Sequence, residues 1–474
     1  MREGALSVPC PLRTAALAAP DATALVGVGG TTSYGELDHR VSAAALRLGG
    51  LEPGSRVALH LPKDERYVAL LLALIRAGHA ACPVSDRLPP RGAARLLGKA
   101  ACSALISEDE QLLQMAGPDL HELRPEALLE VTRHRTEPTD IPLERSATII
   151  FTSGSTGVPK AALHTFGNHY HSARGSNANI PLRPGDRWLQ SLPLYHVGGL
   201  SILFRCLLAG ATVALPRPGT SLGTDIAGFG ATHVSLVSTQ LSRLLREGAD
   251  LGGLEAVLMG GGPVPPSLVD EALACGLPIH TSYGLTEMAS QVTTTPPGAL
   301  REELRTAGRA LPSREVSISE RGEILVRGET LFAGYIDGEG LDRPLDTDGW
   351  FHTGDLGRVD ENGCLRVGGR MDNLFISGGE NVQPEEIEEA LCRLEGIDEA
   401  VVVPVPDEEF GARPVAFVRA SGREAEELAQ ELAPVLPRFK IPISFYPWPK
   451  EARGGMKVDR AALGTRAQRL RSGV

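Results

Sequence analysis

Short apolar segments of strand length alternate with longer apolar stretches of helical length, and this alternation narrows the fold more than any other feature of the chain. Tyr34 opens a helix that closes near Gly49 and Gly50. Arg56-Val-Ala-Leu-His-Leu reads as a buried strand, Glu65 to Ala77 as a helix closed by Gly78, and Ala80-Ala-Cys-Pro-Val as the next strand. Strands separated by helices pair in parallel, because a helical crossover carries the chain back to the starting edge. A layered, mostly parallel α/β architecture is therefore expected. The pattern returns between residues 186 and 290, where Trp188-Leu-Gln-Ser-Leu and Thr212-Val-Ala-Leu read as strands with a helix between them. The two blocks imply two α/β subdomains.

From Val316 the texture changes. Gly322-Glu-Ile-Leu-Val-Arg-Gly and Gly363-Cys-Leu-Arg-Val-Gly-Gly are short strands bounded by glycines, which implies a β-rich subdomain. A helix from Pro384 to Leu394 and the apolar run Glu399-Ala-Val-Val-Val-Pro-Val then describe a small α+β unit. A chain of 474 residues is too long for one core. The expected organisation is a large layered N-terminal domain over 1–369 and a small α+β C-terminal domain over 370–474.

The formal net charge is −11, which disfavours a nucleic-acid partner, since a phosphate backbone demands a basic surface. The seven cysteines are odd in number and show no CxxC spacing, so reduced thiols in a cytoplasmic protein are expected. The longest apolar run, Val68 to Ile75, stops at Arg76, far short of the roughly 20 residues that span a bilayer. The N-terminus has no apolar h-region, so no secretory signal is expected. Oligomeric state is open, a homodimer included.

Thr152-Ser-Gly-Ser-Thr-Gly-Val-Pro-Lys160 is the most informative stretch. An apolar strand, Ile149-Ile-Phe, runs into Thr152, Ser153, Gly154, Ser155, Thr156 and Gly157 and ends on Lys160. Glycines let backbone N–H groups turn towards an anion, hydroxyls donate hydrogen bonds, and the lysine adds charge. Such a loop suits a polyphosphate. It is neither a Walker A loop nor a nucleophile elbow, because neither GxxxxGK[ST] nor GxSxG occurs in it. The triplet His164, His169 and His171 has no carboxylate or Cys at useful spacing and is not read as a metal site.

This loop resembles the signature of the adenylate-forming superfamily of acyl-CoA synthetases, adenylation domains and luciferases. Tyr283-Gly-Leu-Thr-Glu287, Trp350-Phe-His-Thr-Gly-Asp355, Gly369-Arg-Met-Asp372 and Gly379-Glu-Asn-Val-Gln-Pro-Glu-Glu-Ile-Glu388 match further motifs in the same order. The resemblance implies an acid–thiol ligase that uses ATP, Mg²⁺ and coenzyme A. A carboxylate attacks the α-phosphorus, pyrophosphate leaves, and a thiol displaces AMP from the acyl-adenylate.

By resemblance, Gly261, Gly262 and Pro263 form one wall of the adenine slot and Tyr283 the other, with Ser282, Gly284 and Thr286 beside them. Glu287 is the Mg²⁺ ligand, since a carboxylate beside ATP makes sense mainly through a cation. Asp355 accepts the ribose hydroxyls, and Arg370 reaches ribose or phosphate. Lys160 holds the β- and γ-phosphates, and Lys457, in Gly454-Gly-Met-Lys-Val-Asp-Arg460, bridges the carboxylate and the α-phosphate. Asp372 is the hinge about which a mobile C-terminal domain swings. Met456 stands where the common family form has Gly before this lysine.

Pro193-Leu-Tyr-His-Val-Gly-Gly-Leu-Ser-Ile-Leu-Phe-Arg205 bears on the acid. The resemblance places His196 and Ser238 at the acyl pocket. Arg205 lies on an otherwise apolar helix, where a guanidinium is costly unless it meets an anion or snorkels to solvent. Either a structural ion pair or a second carboxylate on the substrate satisfies it. This stretch, with Lys160-Ala-Ala-Leu-His-Thr-Phe-Gly-Asn-His169, resembles the o-succinylbenzoate–CoA ligases of menaquinone biosynthesis, whose substrate is an aromatic keto-diacid. Synthetases for other aryl or fatty acids, stand-alone enzymes loading a carrier protein, and a non-catalytic adenylate-binding regulator are the alternatives. ATP–pyrophosphate exchange separates the last from the rest.

Overall fold

The computed structural model describes residues 6–117, 120–130, 140–152, 159–338, 340–378, 380–420, 423–449 and 459–472. Two large sheets carry the N-terminal part. The first has eight described strands in the order Gly340–Asp342, Gly334–Asp337, Lys160–Thr165, Ser146–Thr152, Ala80–Pro83, Arg56–His60, Ala104–Ser107 and His121–Leu123. The second has nine, in the order Arg309–Ala310, Ser290–Thr294, Ile279–Leu285, Ala256–Met259, His233–Leu236, Arg187–Leu189, Thr212–Ala214, Thr23–Gly27 and Gly30–Ser33. Strand–helix alternation does produce parallel pairing where helices intervene, as between Arg56–His60 and Ala80–Pro83 or His233–Leu236 and Ala256–Met259.

The exception matters for function. Ser146–Thr152 and Lys160–Thr165 are antiparallel, with Thr152 opposite Lys160. The candidate phosphate loop is thus the connection of a β-hairpin, not a strand-to-helix turn. The next helix, Phe166–Asn179, starts only after the second strand ends.

Helix Glu65–Ala77 shows how the core closes. The Asp64 carboxylate accepts the backbone N–H groups of Arg66 and Tyr67, which starts the helix, and Gly78 ends it at φ 89°. Every residue from Tyr67 to Ile75 is buried, because an all-round apolar helix needs cover on every side. The largest apolar cluster joins this helix and helix Val197–Ala209 to both sheets, through Val57, Leu59 and Ile150 of the first and Leu25, Trp188, Val213 and Leu258 of the second. Each fully buried Leu there contributes about 1.5–3 kcal/mol. The sheets are therefore held as one body.

A third sheet is antiparallel throughout: Glu315–Ile318, Glu323–Arg327, Phe351–Val359 and Leu365–Arg370. Beyond it the chain builds a smaller α+β unit on the long hairpin Ile397–Asp407 and Gly411–Ala420. Alternation along the first hairpin strand sends Val402 towards helix Pro384–Cys392 and Val401 and Val403 towards helix Arg460–Ser472. All seven cysteines are free, and no described helix is long and apolar enough to cross a membrane.

Candidate active site

The three sheets meet where several strands end. Ala256–Met259 and Ile279–Leu285 are parallel neighbours, and ligands in such sheets bind beyond the carboxyl ends of strands. Gly261, Gly262 and Pro263, just past the first of these, are exposed. Gly261 has φ +80°, and the Ser282 hydroxyl donates to the Met259 carbonyl at 2.7 Å, which fixes the neighbouring strand end. A side chain at Gly284 would lie 2.2 Å from the Ser290 carbonyl oxygen, so only glycine permits this bend. The result is an open backbone shelf.

Tyr283 ties this shelf to the third sheet. Its hydroxyl donates to Asp355 Oδ2 at 2.6 Å. Burial, followed by the Asp355 charge, pushes the phenol well above its usual range, so it stays a donor. Arg370, paired with Asp355 across the Phe351–Val359 and Leu365–Arg370 strands, donates to Asp355 Oδ1 at 3.0 Å and to Asp372 Oδ2 at 2.9 Å. Burial opposes the Arg370 charge, but the two carboxylates outweigh it and raise its pKa.

A second set of contacts joins the first and second sheets. Tyr335 donates its hydroxyl to Glu287 Oε1 at 2.5 Å, and Lys160 Nζ lies 4.7 Å from the centre of the Tyr335 ring. His164 Nε2 meets the Thr286 carbonyl at 2.7 Å. Burial drops His164 to about 4, so it is a neutral core histidine. His169 is likewise buried, stacked on Phe204 with ring centres 4.7 Å apart and bonded to the Thr148 hydroxyl at 2.7 Å. These imidazoles fasten sheets and helices together. Among the described residues no three His, Cys, Asp or Glu side chains converge on a cation. A lone carboxylate such as Glu287, bonded to the tyrosine whose ring carries Lys160, suits Mg²⁺, which takes few protein ligands and leaves the rest to phosphate and water.

His196 is the residue before helix Val197–Ala209. Its ring lies 4.8 Å from that of Tyr195, which in turn carries Lys63 Nζ at 4.8 Å from its centre. Burial, aided by the Lys63 charge, lowers the His196 pKa. Ser238 donates to the Pro263 carbonyl at 2.7 Å, alongside the shelf.

Arg205, in the helix that follows His196, is 1% exposed. Its Nη2 donates to Gln291 Oε1 at 2.7 Å, and its guanidinium lies 5.0 Å from the Trp188 ring centre. Nε and Nη1 are buried without a hydrogen-bond partner among the described residues. Burial, with the neighbouring Arg314 charge, lowers Arg205 to about 9. Arg314 is itself buried and spends its donors on the Gln291, Pro312 and Ser172 carbonyls. The structural ion pair weighed for Arg205 is thus absent among the described residues, and the side chain does not snorkel.

Ser153, Gly154, Ser155, Thr156, Gly157 and Lys457 lie outside the described residues. Of the other expected site residues, Thr152, Lys160, Tyr283, Thr286, Glu287, Asp355 and Arg370 are joined by the contacts above. Tyr335, Lys63, Gln291 and Arg314 were not read from the sequence. Only Tyr335 had a local signal, an aromatic after Ala333-Gly334 in a strand-like run.

The model of the AMP-binding enzyme family matches residues 12–336, and that of the AMP-binding enzyme C-terminal domain matches 386–452. The chain is 36% identical over 441 residues to the 2-succinylbenzoate–CoA ligase of Escherichia coli strain K12, covering 92% of this chain and 93% of the relative. Among solved structures it is similar to a variant of the E. coli MenE with bound OSB-AMS, at 32% identity and TM-score 0.84, covering 97% of this chain and 98% of that one. It is also similar to the O-succinylbenzoate coenzyme A synthetase (MenE) of Bacillus subtilis in complex with ATP and magnesium ion, at 31% identity and TM-score 0.83, covering 93% and 96%.

Proposed function

The chain belongs to the AMP-binding enzyme family, and on that premise we propose that it converts 2-succinylbenzoate, ATP and CoA into 2-succinylbenzoyl-CoA, AMP and diphosphate, a step of menaquinone biosynthesis. The carboxylate attacks the α-phosphorus of ATP to give an acyl-adenylate, and the CoA thiol displaces AMP from it. No enzyme nucleophile is needed, so the work of the protein is positioning and charge neutralisation.

Adenine lies between the shelf at Gly261, Gly262 and Pro263 and the ring of Tyr283. Asp355 retains lone pairs beyond those used by Tyr283 and Arg370, and it accepts the ribose hydroxyls with them. Lys160 and the loop from Thr152 to Gly157 meet the phosphates. Glu287 would hold Mg²⁺, which when bound neutralises phosphate charge. Lys457 arrives from the small domain and bridges carboxylate and α-phosphate. Neutral His196 and Ser238 line the acyl pocket. The unpaired cysteines fit a reducing compartment, and we place the enzyme in the cytoplasm.

Arg205 carries the identity of the acid. It is a buried cation with two unpaired nitrogens, a second buried guanidinium beside it and no described acidic partner. A monoacid leaves that charge uncompensated, whereas a diacid supplies the missing anion directly or through water. The deciding experiment is incubation with 2-succinylbenzoate, ATP, Mg²⁺ and CoA. Equimolar thioester, AMP and diphosphate are expected. Preferential turnover of benzoate or fatty acids, or transfer only to a phosphopantetheinylated carrier protein, overturns the assignment.

The domain boundary is placed between 369 and 370, with Asp372 as the pivot, because Lys457 blocks the route of the thiol until the small domain turns. Asp372→Pro is expected to slow thioester formation and spare adenylation, read by separate single-turnover assays. Equal loss in both assays counts against the pivot.

A further inference from the structure

Lys160 and Glu287 carry opposite charges and both contact Tyr335, yet they do not pair with each other among the described ion pairs. An ammonium and a carboxylate that paired directly would neutralise the groups that a nucleotide and its cation need. The side chain of Tyr335 stands between them. Its strand, Gly334–Asp337, pairs with Lys160–Thr165 so that Tyr335 lies opposite Ala162, and Lys160, two residues along, shares the same face. The ring then receives Lys160 Nζ on its face, and its hydroxyl donates to Glu287 Oε1, across the junction of two sheets.

The seat is rigid. Phe332 packs edge-on against the Tyr335 ring at 4.8 Å between centres, and the Phe332 N–H donates to the Glu287 carbonyl at 2.8 Å. Gly334, immediately before it, has φ +142°, and a side chain there would lie 2.7 Å from the Asp342 carbonyl oxygen. The bond to Tyr335 uses only one carboxylate oxygen of Glu287. Lys160 likewise keeps its N–H donors, because a ring face attracts an ammonium without consuming them.

We propose that Tyr335 is a positioning residue that keeps the phosphate lysine and the metal carboxylate apart and aimed at one nucleotide, its ring seating Lys160 and its hydroxyl fixing Glu287. The inference rests on the assignment of Lys160 to phosphate and Glu287 to Mg²⁺. It separates into two halves that two substitutions divide. Tyr335→Phe keeps the ring and removes the hydroxyl, whereas Tyr335→Leu removes both.

The test is calorimetric binding of ATP to the full-length protein, with EDTA and across a Mg²⁺ titration, with no acid or CoA present. Tyr335→Phe is expected to raise the Mg²⁺ concentration for half-maximal enhancement of ATP binding about tenfold, with the metal-free Kd unchanged. Tyr335→Leu is expected to do the same and also to weaken metal-free ATP binding about threefold. Glu287→Gln calibrates the metal response. If Glu287→Gln does not shift it, the metal assignment itself is wrong. If Glu287→Gln shifts it and Tyr335→Phe does not, the inference about Tyr335 is wrong and the assignment stands. An unchanged metal-free Kd in Tyr335→Leu removes the lysine half. Melting temperatures without ligand check folding, and Tyr335→Phe, which preserves the packing, decides the hydroxyl half even if Tyr335→Leu does not fold.

Discussion

Lys457→Ala should cut acyl-adenylate formation about 100–1000-fold, the usual loss when one donor to developing charge is removed. Supplied 2-succinylbenzoyl-adenylate and CoA should still yield thioester at a rate within about twofold of the unaltered enzyme, because in the proposed mechanism the second half-reaction does not use this ammonium. The asymmetry follows from where charge builds. Negative charge accumulates around the α-phosphorus only while pyrophosphate leaves. Lys457 lies outside the described residues, but the chain just beyond it is firmly held. Arg460 donates to both oxygens of Glu388, at 2.5 and 2.8 Å, and to the Val402 carbonyl at 2.7 Å. That grip on helix Pro384–Cys392 fixes the exit of the lysine segment on the small domain. Equal losses in the two half-reactions would show that the substitution damages the domain and not the chemistry.

Arg205→Met should raise KM for 2-succinylbenzoate by about 10–100-fold, the value of a charge-assisted contact, and leave KM for benzoate-type monoacids unchanged. Stability supplies an independent reading. In a structural ion pair, removing the cation strands a buried carboxylate and costs about 3–5 kcal/mol. Here no described carboxylate is left behind, and the neighbouring Arg314 charge is relieved. Denaturant unfolding of Arg205→Met should therefore show a loss below about 1.5 kcal/mol, set by the bond surrendered by Gln291, or none. A large loss of stability with unchanged discrimination between diacid and monoacid would return Arg205 to a structural role.

What the sequence made legible was local. Helix Glu65–Ala77 was legible because its apolar run is closed by Gly78, a chemically explicit stop signal, and the structure adds Asp64 as the cap that starts it. Arg205 stood out because a charge on an apolar helix contradicts its surroundings, and that contradiction survives as two unpaired nitrogens in the fold. The antiparallel return after Thr152 was not legible, since period and propensity do not say whether a strand after a glycine loop pairs backwards or crosses over. Tyr335 and Arg314 were hidden for another reason. Tyr335 meets Glu287 across 48 residues of sequence, and Arg314 matters through Arg205 and Gln291, neighbours that only tertiary packing assigns.

Arg370 holds Asp355, the carboxylate proposed for the ribose, with one nitrogen and Asp372, the proposed pivot, with the other. Tightening or loosening either end changes what the shared guanidinium can give to the opposite end. Given the roles proposed for Asp355 and Asp372, thermodynamic reciprocity requires that the grip on AMP and the preference of the small lobe for one orientation shift by equal factors. On the proposed roles, a single fork of positive charge would let the small lobe register whether its nucleotide is still aboard.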